Sequence, residues 1–344
     1  MIITVIALLI IVIVGFARAL IPFPDGVKHI LGILSGYLMG FLMYFLMFTV
    51  AAEIIFALPR ILKLSFALSR YFNGAVMASV LLVSLVTCIF GFINAGNIKH
   101  VSYDVQLYGK EDISDMNIVM ISDLHLGAIG SEERLEKTVS EINKEKPDII
   151  CIAGDFFDTD FASVRDPEKA LESLKKLSAK YGIYACVGNH DGGSTHEKMT
   201  EFLDKAGITL LADTYTVVDD RLIIVGRLDG SAIGGYGDKE RRPLSEVFDV
   251  EETTHPVIVL DHNPVNIDEY STESDIILCG HTHRGQVFPA NLVTKAVYTV
   301  DYGYYKKDQS SPHVIVSSGV GTWGMPMRVG TNCEIVKINI TNGN

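Results

Sequence analysis

The sequence has little cysteine, and its cysteines form no disulfide or metal motif. There are five in 344 residues, and none is part of a CxxC pair. Cys151, Cys186 and Cys279 lie inside apolar runs typical of buried strands, where a free thiol packs as a small hydrophobic group. The odd number and the spacing argue against a disulfide framework and against a cysteine-based metal site.

Basic residues are also scarce. Lysine and arginine total 29 against 41 acidic residues, which gives a net charge of −12. A surface that covers nucleic acid needs concentrated positive charge, so we expect no nucleic-acid partner. An anionic substrate is still compatible with this balance, because bound metal ions can invert the local field.

Long hydrophobic runs, in contrast, are abundant before residue 97. The segments Met1–Leu20, Ile30–Leu58 and Gly74–Gly96 are each long and apolar enough to cross a bilayer. The first lacks the basic start and the small-residue cleavage site of a secretory signal. We therefore predict a membrane domain with about three transmembrane helices. The predicted division of the chain is a membrane domain over 1–96, a polar connector over 97–116 and an α/β domain over 117–344.

Positive charge in the short loops predicts the orientation of these helices. Arg60, Lys63 and Arg70 lie between the second and third hydrophobic segments, and this loop is more basic than its neighbours. Loops rich in lysine and arginine stay in the cytoplasm. We therefore expect a multi-pass protein of the cell membrane whose C-terminal domain lies outside the cytoplasm.

Groups able to bind metal follow five short apolar runs in the C-terminal two-thirds of the chain. Short apolar runs bounded by turn residues predict buried strands, and open α/β sheets bind ligands at the carboxyl ends of their strands. The sequence therefore predicts one shared site at a sheet edge. The five stretches are Asp123-Leu124-His125, Gly154-Asp155, Gly188-Asn189-His190-Asp191, Asp261-His262 and Gly280-His281-Thr282-His283.

These groups suit a two-metal site for phosphoester hydrolysis. Two ions about 3.5–4 Å apart neutralise phosphoryl charge and supply hydroxide near neutral pH, which attacks phosphorus. That spacing needs a shared ligand, and Asp155 can bridge because it is a carboxylate at a strand end. The predicted first metal site is Asp123, His125, Asp155 and His283, and the second is Asp155, Asn189, His262 and His281. The mixed nitrogen and oxygen donors suit Mn, Fe, Zn or Co.

His190 and Asp191 are the predicted catalytic residues. His190 is not needed as a ligand, so it can face the substrate as proton donor to the leaving group or as hydrogen-bond donor to developing charge. Asp191 could hold the His190 ring in place, as carboxylates beside a metal site often do.

The order of the motifs DLH, GDFFD, GNHD, DHNP and GHTHRGQ resembles the calcineurin-like metallophosphoesterase superfamily over about 117–340. The stretch Ser318–Trp323, with Pro326 and Arg328, is similar to its branch of membrane-associated or exported phosphoesterases, which includes the YkuE-type and animal transmembrane proteins. The resemblance implies a four-layer α/β/β/α sandwich, a dinuclear centre with the ligands given above, manganese among its metals, and the role of His190. Arg284 is a departure, since that branch commonly has glycine there. It could contact phosphate or be an ordinary surface arginine.

We therefore expect a membrane-anchored, metal-dependent phosphoric ester hydrolase that acts on a monoester, a diester or a pyrophosphate. The alternative is a non-catalytic membrane sensor or scaffold that keeps the metals for structure. A lipid-linked pyrophosphate, an envelope phosphodiester or a phosphoprotein all fit as substrate, and the sequence leaves the oligomeric state open. The apolar and aromatic stretch Val287–Tyr305 predicts either a lid over the site facing the bilayer or an edge hairpin.

Overall fold

The computed structural model describes two long apolar helices and an α/β domain. The described residues are 9–15, 23–61, 70–108, 113, 116–127, 129, 131–158, 161–248, 254–270 and 274–343.

The two long helices are α1 (Asp25–Ile61) and α2 (Arg70–Ala95). Within them, Gly26–Ala57 and Phe72–Ala95 are long and apolar enough to cross a membrane. Only 11 % and 22 % of their most apolar stretches are buried inside the protein, whereas the core helix of a soluble domain is mostly buried. The second and third predicted spans therefore exist as helices. Of the predicted first span, Met1–Leu20, the structure describes 9–15, which are helical, and the rest lies outside the described residues.

In the part of the chain that the structure describes, twelve strands form two six-stranded sheets. The first sheet has the order β1-β12-β2-β3-β4-β5, and the second has the order β10-β11-β9-β8-β7-β6. The strands are β1 (Ile98–Leu107), β2 (Met116–Ile121), β3 (Ile149–Ala153), β4 (Ile183–Cys186), β5 (Thr209–Leu210), β6 (Thr214–Val218), β7 (Leu222–Gly226), β8 (Val257–Leu260), β9 (Ile276–Cys279), β10 (Gly303–Tyr305), β11 (His313–Val316) and β12 (Cys333–Asn342).

The central strands of both sheets are parallel, so their carboxyl ends share an edge. In the first sheet β2, β3, β4 and β5 run parallel, and in the second β7, β8, β9 and β11 do. These strands are continuous apolar runs because both of their faces are buried. The ligand-bearing turns after them are thereby brought to one end of the domain.

Helices cover the outer faces of the two sheets. The first sheet packs against α3 (Ser131–Lys144), α4 (Pro167–Leu174) and α5 (His196–Lys205), and the two sheets pack face to face through a core that includes Ile118 and Ile258. The outer face of the second sheet is covered by α6 (Leu244–Val247) and the 3-10 segment Pro264–Tyr270. The predicted four-layer α/β/β/α sandwich is confirmed.

The helices begin where the local sequence predicts. In α3 the apolar residues Leu135, Val139 and Ile142 recur at helical spacing, and they lie on its buried side. α4 begins after Asp166, whose carboxylate accepts a hydrogen bond from the Lys169 amide at 3.0 Å. α4 ends at Leu174.

Within the predicted connector over 97–116, the described residues Ile98–Leu107 form strand β1. β1 pairs along its whole length with β12 and forms the edge of the first sheet. Its side chains alternate between exposed and more buried positions, and the polar residues of its solvent-facing side obscured this period in the sequence. Only Gly96 and Asn97 separate β1 from α2, so the α/β domain begins directly at the end of that helix.

For the stretch Val287–Tyr305 we predicted either a lid over the site or an edge hairpin, and the structure shows a helix followed by an edge strand. The helix is α7 (Ala290–Val297), and the strand is β10, which pairs antiparallel with β11.

The apolar helices pack directly on the α/β domain. The Gly91 carbonyl accepts a hydrogen bond from the Arg328 amide at 3.0 Å, and the Asn94 side chain donates to the Arg328 and Thr331 carbonyls at 3.1 and 2.8 Å. The Tyr44 hydroxyl of α1 donates to the Phe288 carbonyl at 2.7 Å. The helices therefore touch the loops that carry the candidate site.

Candidate metal centre

The two sheets deliver the candidate ligands from facing strand ends. β2 leads to Asp123 and His125, β3 to Asp155 and β4 to Asn189, while β8 leads to His262 and β9 to His281 and His283. The structure brings all seven of these predicted residues together, although more than 150 positions separate the first from the last.

Most of these residues have a backbone conformation that L-residues avoid. The φ angle is 55° at Asp123, 47° at His125, 53° at Asp155, 69° at His281 and 48° at His283. Each such residue costs about 1–3 kcal/mol and persists only where the surrounding structure imposes it, typically at functional sites. The turns that direct these side chains toward the site therefore share the same strained backbone conformation, with a positive φ.

Two glycines allow the turns to approach the carboxylates. A Cβ on Gly188 would lie 2.2 Å from Asp155 Oδ1, and one on Gly280 would lie 2.5 Å from Asp123 Oδ2. No side chain fits at these distances, which accounts for glycine at both positions.

The first group of donor atoms surrounds a space between the two sheets. The Nε2 atoms of His125 and His283 lie 3.0 Å apart. Asp123 Oδ1 lies 3.4 Å from His283 Nε2, and Asp155 Oδ2 lies 3.6 Å from His125 Nε2. These are the four residues predicted for the first metal.

The second group shares one atom with the first. Asp155 Oδ2 lies 3.1 Å from His262 Nε2, and His281 Nδ1 lies 3.3 Å from the same nitrogen and 2.9 Å from Asn189 Oδ1. Asp155 Oδ2 therefore stands between the two groups, as a bridging ligand requires.

The donor chemistry fits cations at both places. His262 Nδ1 donates to the Ala153 carbonyl at 2.8 Å, so its Nε2 faces the Asp155 carboxylate at 3.1 Å with a proton or a cation between them. In spite of burial, the Asp155 carboxylate raises the pKa of His262 well above its usual value. Burial lowers the pKa of His125 to about 3 and that of His281 to about 4, the latter with help from His262. Burial also lowers the pKa of His283 well below its usual value, so these three rings are uncharged at neutral pH.

A family model for calcineurin-like phosphoesterases matches residues 116–285. An uncharacterised metallophosphoesterase of Aquifex aeolicus is 30 % identical to this chain over 228 residues, which is 66 % of this chain and 85 % of the relative. The chain belongs to the calcineurin-like phosphoesterase family. The dinuclear centre typical of this family corresponds to the two donor groups.

Two further relatives are a membrane protein and a YkuE-type protein. A transmembrane protein with metallophosphoesterase domain from Danio rerio is 29 % identical over 288 residues, which is 78 % of this chain and 63 % of the relative. The metallophosphoesterase YkuE of Bacillus subtilis is 28 % identical over 241 residues, covering 66 % of this chain and 79 % of the relative. The chain spans about three fifths of the first curated relatives it matches, 63 % and 60 % of their lengths.

His190 lies beside the first donor group. Its ring centroid is 5.1 Å from that of His125, and its amide donates to Asp155 Oδ1 at 2.9 Å. Its Nδ1 donates to the Asp158 carbonyl at 2.5 Å, which leaves Nε2 as the ring nitrogen for a substrate.

The prediction that Asp191 holds the His190 ring is wrong. The Asp191 carboxylate points into the core, where it accepts hydrogen bonds from the amides of Phe156, Phe157 and Gly188 at 2.9, 3.2 and 2.8 Å. Asp191 therefore ties the turn after β3 to the turn after β4. A carbonyl oxygen orients the ring instead, and a backbone acceptor leaves no signal in the sequence.

Asp229 is a site residue that the sequence analysis missed. One carboxylate oxygen accepts hydrogen bonds from the Ser231 amide and hydroxyl, both at 2.6 Å. The other, Oδ2, is buried with no hydrogen-bond partner among the residues that the structure describes. The potential ligand atoms of Asp229, His262 and His281 lie within 4.8 Å of one another. Asp229 follows strand β7 at the same sheet edge. Its position just after an apolar run was the signal in the sequence that could have identified it.

Replacing Asp229 with asparagine is expected to weaken binding of the second metal. Removing a charge from a buried oxygen beside His262 and His281 should raise the dissociation constant about 10–100-fold, as loss of a supporting carboxylate does. Calorimetric Mn²⁺ titration measures this. Asp220→Asn is the control because it changes an exposed aspartate in the β6–β7 turn. Equal affinity of the Asp229 variant and the wild type would contradict a role for Asp229.

Two arginines border the site in different ways. Arg328 is fully buried, and its guanidinium donates to the carbonyls of His283, Ser318 and Gly321 at 2.8, 2.7 and 2.7 Å. The Arg328 side chain therefore fixes the turn that carries His283. The Arg328 backbone is hydrogen-bonded to Gly91 and Asn94 of α2. Arg284, for which a phosphate contact or a surface position was predicted, lies over the Tyr302 ring at 4.3 Å.

Proposed function

We propose that this protein is a membrane-anchored phosphoesterase that hydrolyses a phosphomonoester, phosphodiester or pyrophosphate at a centre of two divalent ions. The observation that carries the proposal is the position of Asp155 Oδ2, 3.6 Å from His125 Nε2 and 3.1 Å from His262 Nε2. One carboxylate oxygen between two sets of nitrogen and oxygen donors is the arrangement that a two-metal site needs.

Asp123, His125, Asp155 and His283 would hold one ion, and Asp155, Asn189, His262 and His281 the other. When bound, such ions neutralise phosphoryl charge and activate water as nucleophile. Mn, Fe, Zn and Co suit these donors. The chain's own residues set the geometry: the Ala153 carbonyl fixes the His262 tautomer, and Arg328 holds the His283 turn.

His190 supplies the proton chemistry in this proposal. The Asp158 carbonyl holds Nδ1, so the ring can present Nε2 to the oxygen that leaves phosphorus. A proton given to that oxygen stabilises the leaving group as the bond to phosphorus breaks. His190 is the catalytic residue, and Asp191 is a structural one.

The membrane part of the proposal is a multi-pass anchor with the phosphoesterase domain outside the cytoplasm. The two long apolar helices support the anchor. The orientation is supported by three basic residues between the apolar spans Gly26–Ala57 and Phe72–Ala95, namely Arg60, Lys63 and Arg70. A lipid-linked or envelope-derived substrate fits a domain at the membrane surface. Protease treatment of intact cells tests the orientation, because a domain inside the cytoplasm would be fully protected.

Full-length protein purified in detergent tests the activity. With Mn²⁺ or Zn²⁺ added, we expect hydrolysis of at least one of three probes: an aryl phosphate, a bis-aryl phosphodiester or a lipid pyrophosphate. Loss of the activity on chelation and its return with metal would tie it to the centre. Metal binding without hydrolysis of any probe would favour the non-catalytic sensor or scaffold.

A further inference from the structure

Helix α7 exposes its apolar side and turns its polar side toward the α/β domain. Leu292, Val293 and Val297 are 57 %, 62 % and 70 % exposed, and they share one side of the helix. The inward side is polar, since the Thr294 hydroxyl donates to the Asp301 carboxylate at 2.8 Å. A helix on a soluble domain turns its apolar side inward. The exposed apolar side of α7 therefore indicates a binding surface for an apolar partner.

The loop that leads into α7 is fixed to the two apolar helices. The Tyr44 hydroxyl donates to the Phe288 carbonyl, and Tyr44, Cys88 and Val287 belong to one buried cluster. Cys88 precedes the end of α2 at Ala95 by seven residues, which is about 10 Å along the axis. The 24-residue apolar span of α2 is about 36 Å long, compared with a hydrocarbon layer of about 30 Å. The start of α7 thus lies beside the membrane-spanning part of these helices.

The same edge of the domain carries the only tryptophan of the chain. Trp323 is 44 % exposed, and its neighbour Gly324 lies against α1, where a Cβ on Gly36 would be 2.6 Å from the Gly324 carbonyl oxygen. The next residue of α1, Tyr37, packs on Phe92 in the last turn of α2 with ring centroids 4.8 Å apart. Trp323 is therefore level with the end of the apolar helix, the depth at which tryptophan is enriched in membrane proteins.

This edge is also the border of the metal centre. The Trp323 ring centroid is 5.8 Å from that of His190. Tyr298, the residue after α7, has its ring centroid 6.2 Å from that of His281. The apolar surface and the candidate catalytic groups are therefore parts of one opening.

We propose that Phe288, Leu292, Val293, Val297 and Trp323 form a rim that inserts into the lipid bilayer, and that the centre acts on an amphiphile whose apolar part stays in the membrane. The bilayer is the partner because the rim is continuous with the two apolar helices. The inference rests on the proposed function for the reaction, but the position of the rim does not depend on it.

Tryptophan fluorescence tests the position of the rim without any activity. Full-length protein is reconstituted in phosphatidylcholine vesicles, with or without bromine on the acyl chains near the carbonyl. We expect bromolipid to remove most of the Trp323 emission and aqueous iodide to remove little. Trp323→Phe is the blank. Emission quenched by iodide but not by bromolipid would overturn the inference, and so would emission insensitive to both, because another protein surface would then cover the rim.

A ratio of two activities tests the consequence for the substrate. The rim variant, which combines Leu292→Gln, Val293→Gln and Val297→Gln, is assayed on a lipid phosphoester in vesicles and on a water-soluble aryl phosphate. Because three apolar side chains lose their burial in lipid, we expect the ratio of lipid to soluble activity to fall more than about tenfold. The control combines Tyr215→Gln and Val217→Gln, exposed apolar residues on β6 at the opposite edge of the second sheet from β10.

The two proposals fail in different ways. An unchanged ratio of lipid to soluble activity in the rim variant would overturn the proposal of a membrane-inserted rim. It would not contradict the proposed phosphoesterase activity. A wild-type protein that hydrolyses neither substrate, nor a bis-aryl phosphodiester or a lipid pyrophosphate, would end the proposed function. The bromolipid experiment would still decide where the rim lies.

Discussion

Replacing Asp155 with asparagine is expected to abolish turnover. Asp155 Oδ2 is the atom that the two donor groups share, and an amide oxygen carries no charge with which to hold two cations. The loss in kcat should exceed about 100-fold, the upper end of what removal of a merely supporting partner costs. The metal content of the purified variant should fall by at least one ion per chain. Steady-state kinetics and elemental analysis measure the two effects on the same sample.

The control for this variant is Asp220→Asn. Asp220 has a φ of 54°, close to the 53° of Asp155, but it lies exposed in the turn between β6 and β7. The control therefore reproduces both the change from aspartate to asparagine and the backbone conformation, away from the site. Asp155→Asn protein with full turnover would show that the shared carboxylate has no role in the reaction.

Replacing His190 with alanine is expected to lower kcat about 10²–10⁴-fold, the range for loss of a general acid. Metal content should stay at the wild-type level, because His190 lies beside the donor groups and its Nδ1 is held by the Asp158 carbonyl. The loss should be smaller for a nitrophenyl ester than for an alkyl ester, since a nitrophenolate leaves without needing a proton. Kinetics on both esters measure the difference.

His100→Ala is the control for this variant, because His100 is an exposed histidine on β1 that pairs with Glu141 and Glu145. Surface pairs of this kind contribute little to stability. An equal loss on both esters in the His190 variant would assign the residue to substrate binding. A loss of metal together with activity would make it part of the metal site.

The sequence predicted the strands and the meeting of the candidate ligands because both leave local signals. A continuous apolar run such as Ile149–Ile152 shows a strand buried on both faces, and the polar residue that follows it marks the sheet edge. The order of such runs was enough to predict that Asp123 and His283 meet, although 159 positions separate them. The four-layer arrangement was predicted from the family resemblance.

Features that depend on three-dimensional neighbours could not be predicted. The partner of the His190 ring is a carbonyl, which every residue has, so the sequence favoured the nearby Asp191 carboxylate. Asp229 follows β7 without a histidine beside it, and only the fold brings it to His262. The polar surface of β1 concealed a strand, because an edge strand needs apolar residues on one face only.

The contact between the apolar helices and the site was also beyond sequence reasoning. It depends on Gly91 accepting a hydrogen bond from the Arg328 amide while the Arg328 side chain binds the His283 carbonyl. Three residues from distant parts of the chain thus link a candidate membrane helix to a candidate metal ligand. No spacing in the sequence records such a link.

The most direct test of the whole account is anomalous diffraction from crystals of the full-length protein loaded with Mn²⁺. A centre of two metal ions should give two anomalous peaks about 3.5–4 Å apart. Asp155 should contact both ions, with His125 and His283 beside one and His262 and His281 beside the other. A single peak, or two peaks that do not share Asp155, would contradict it.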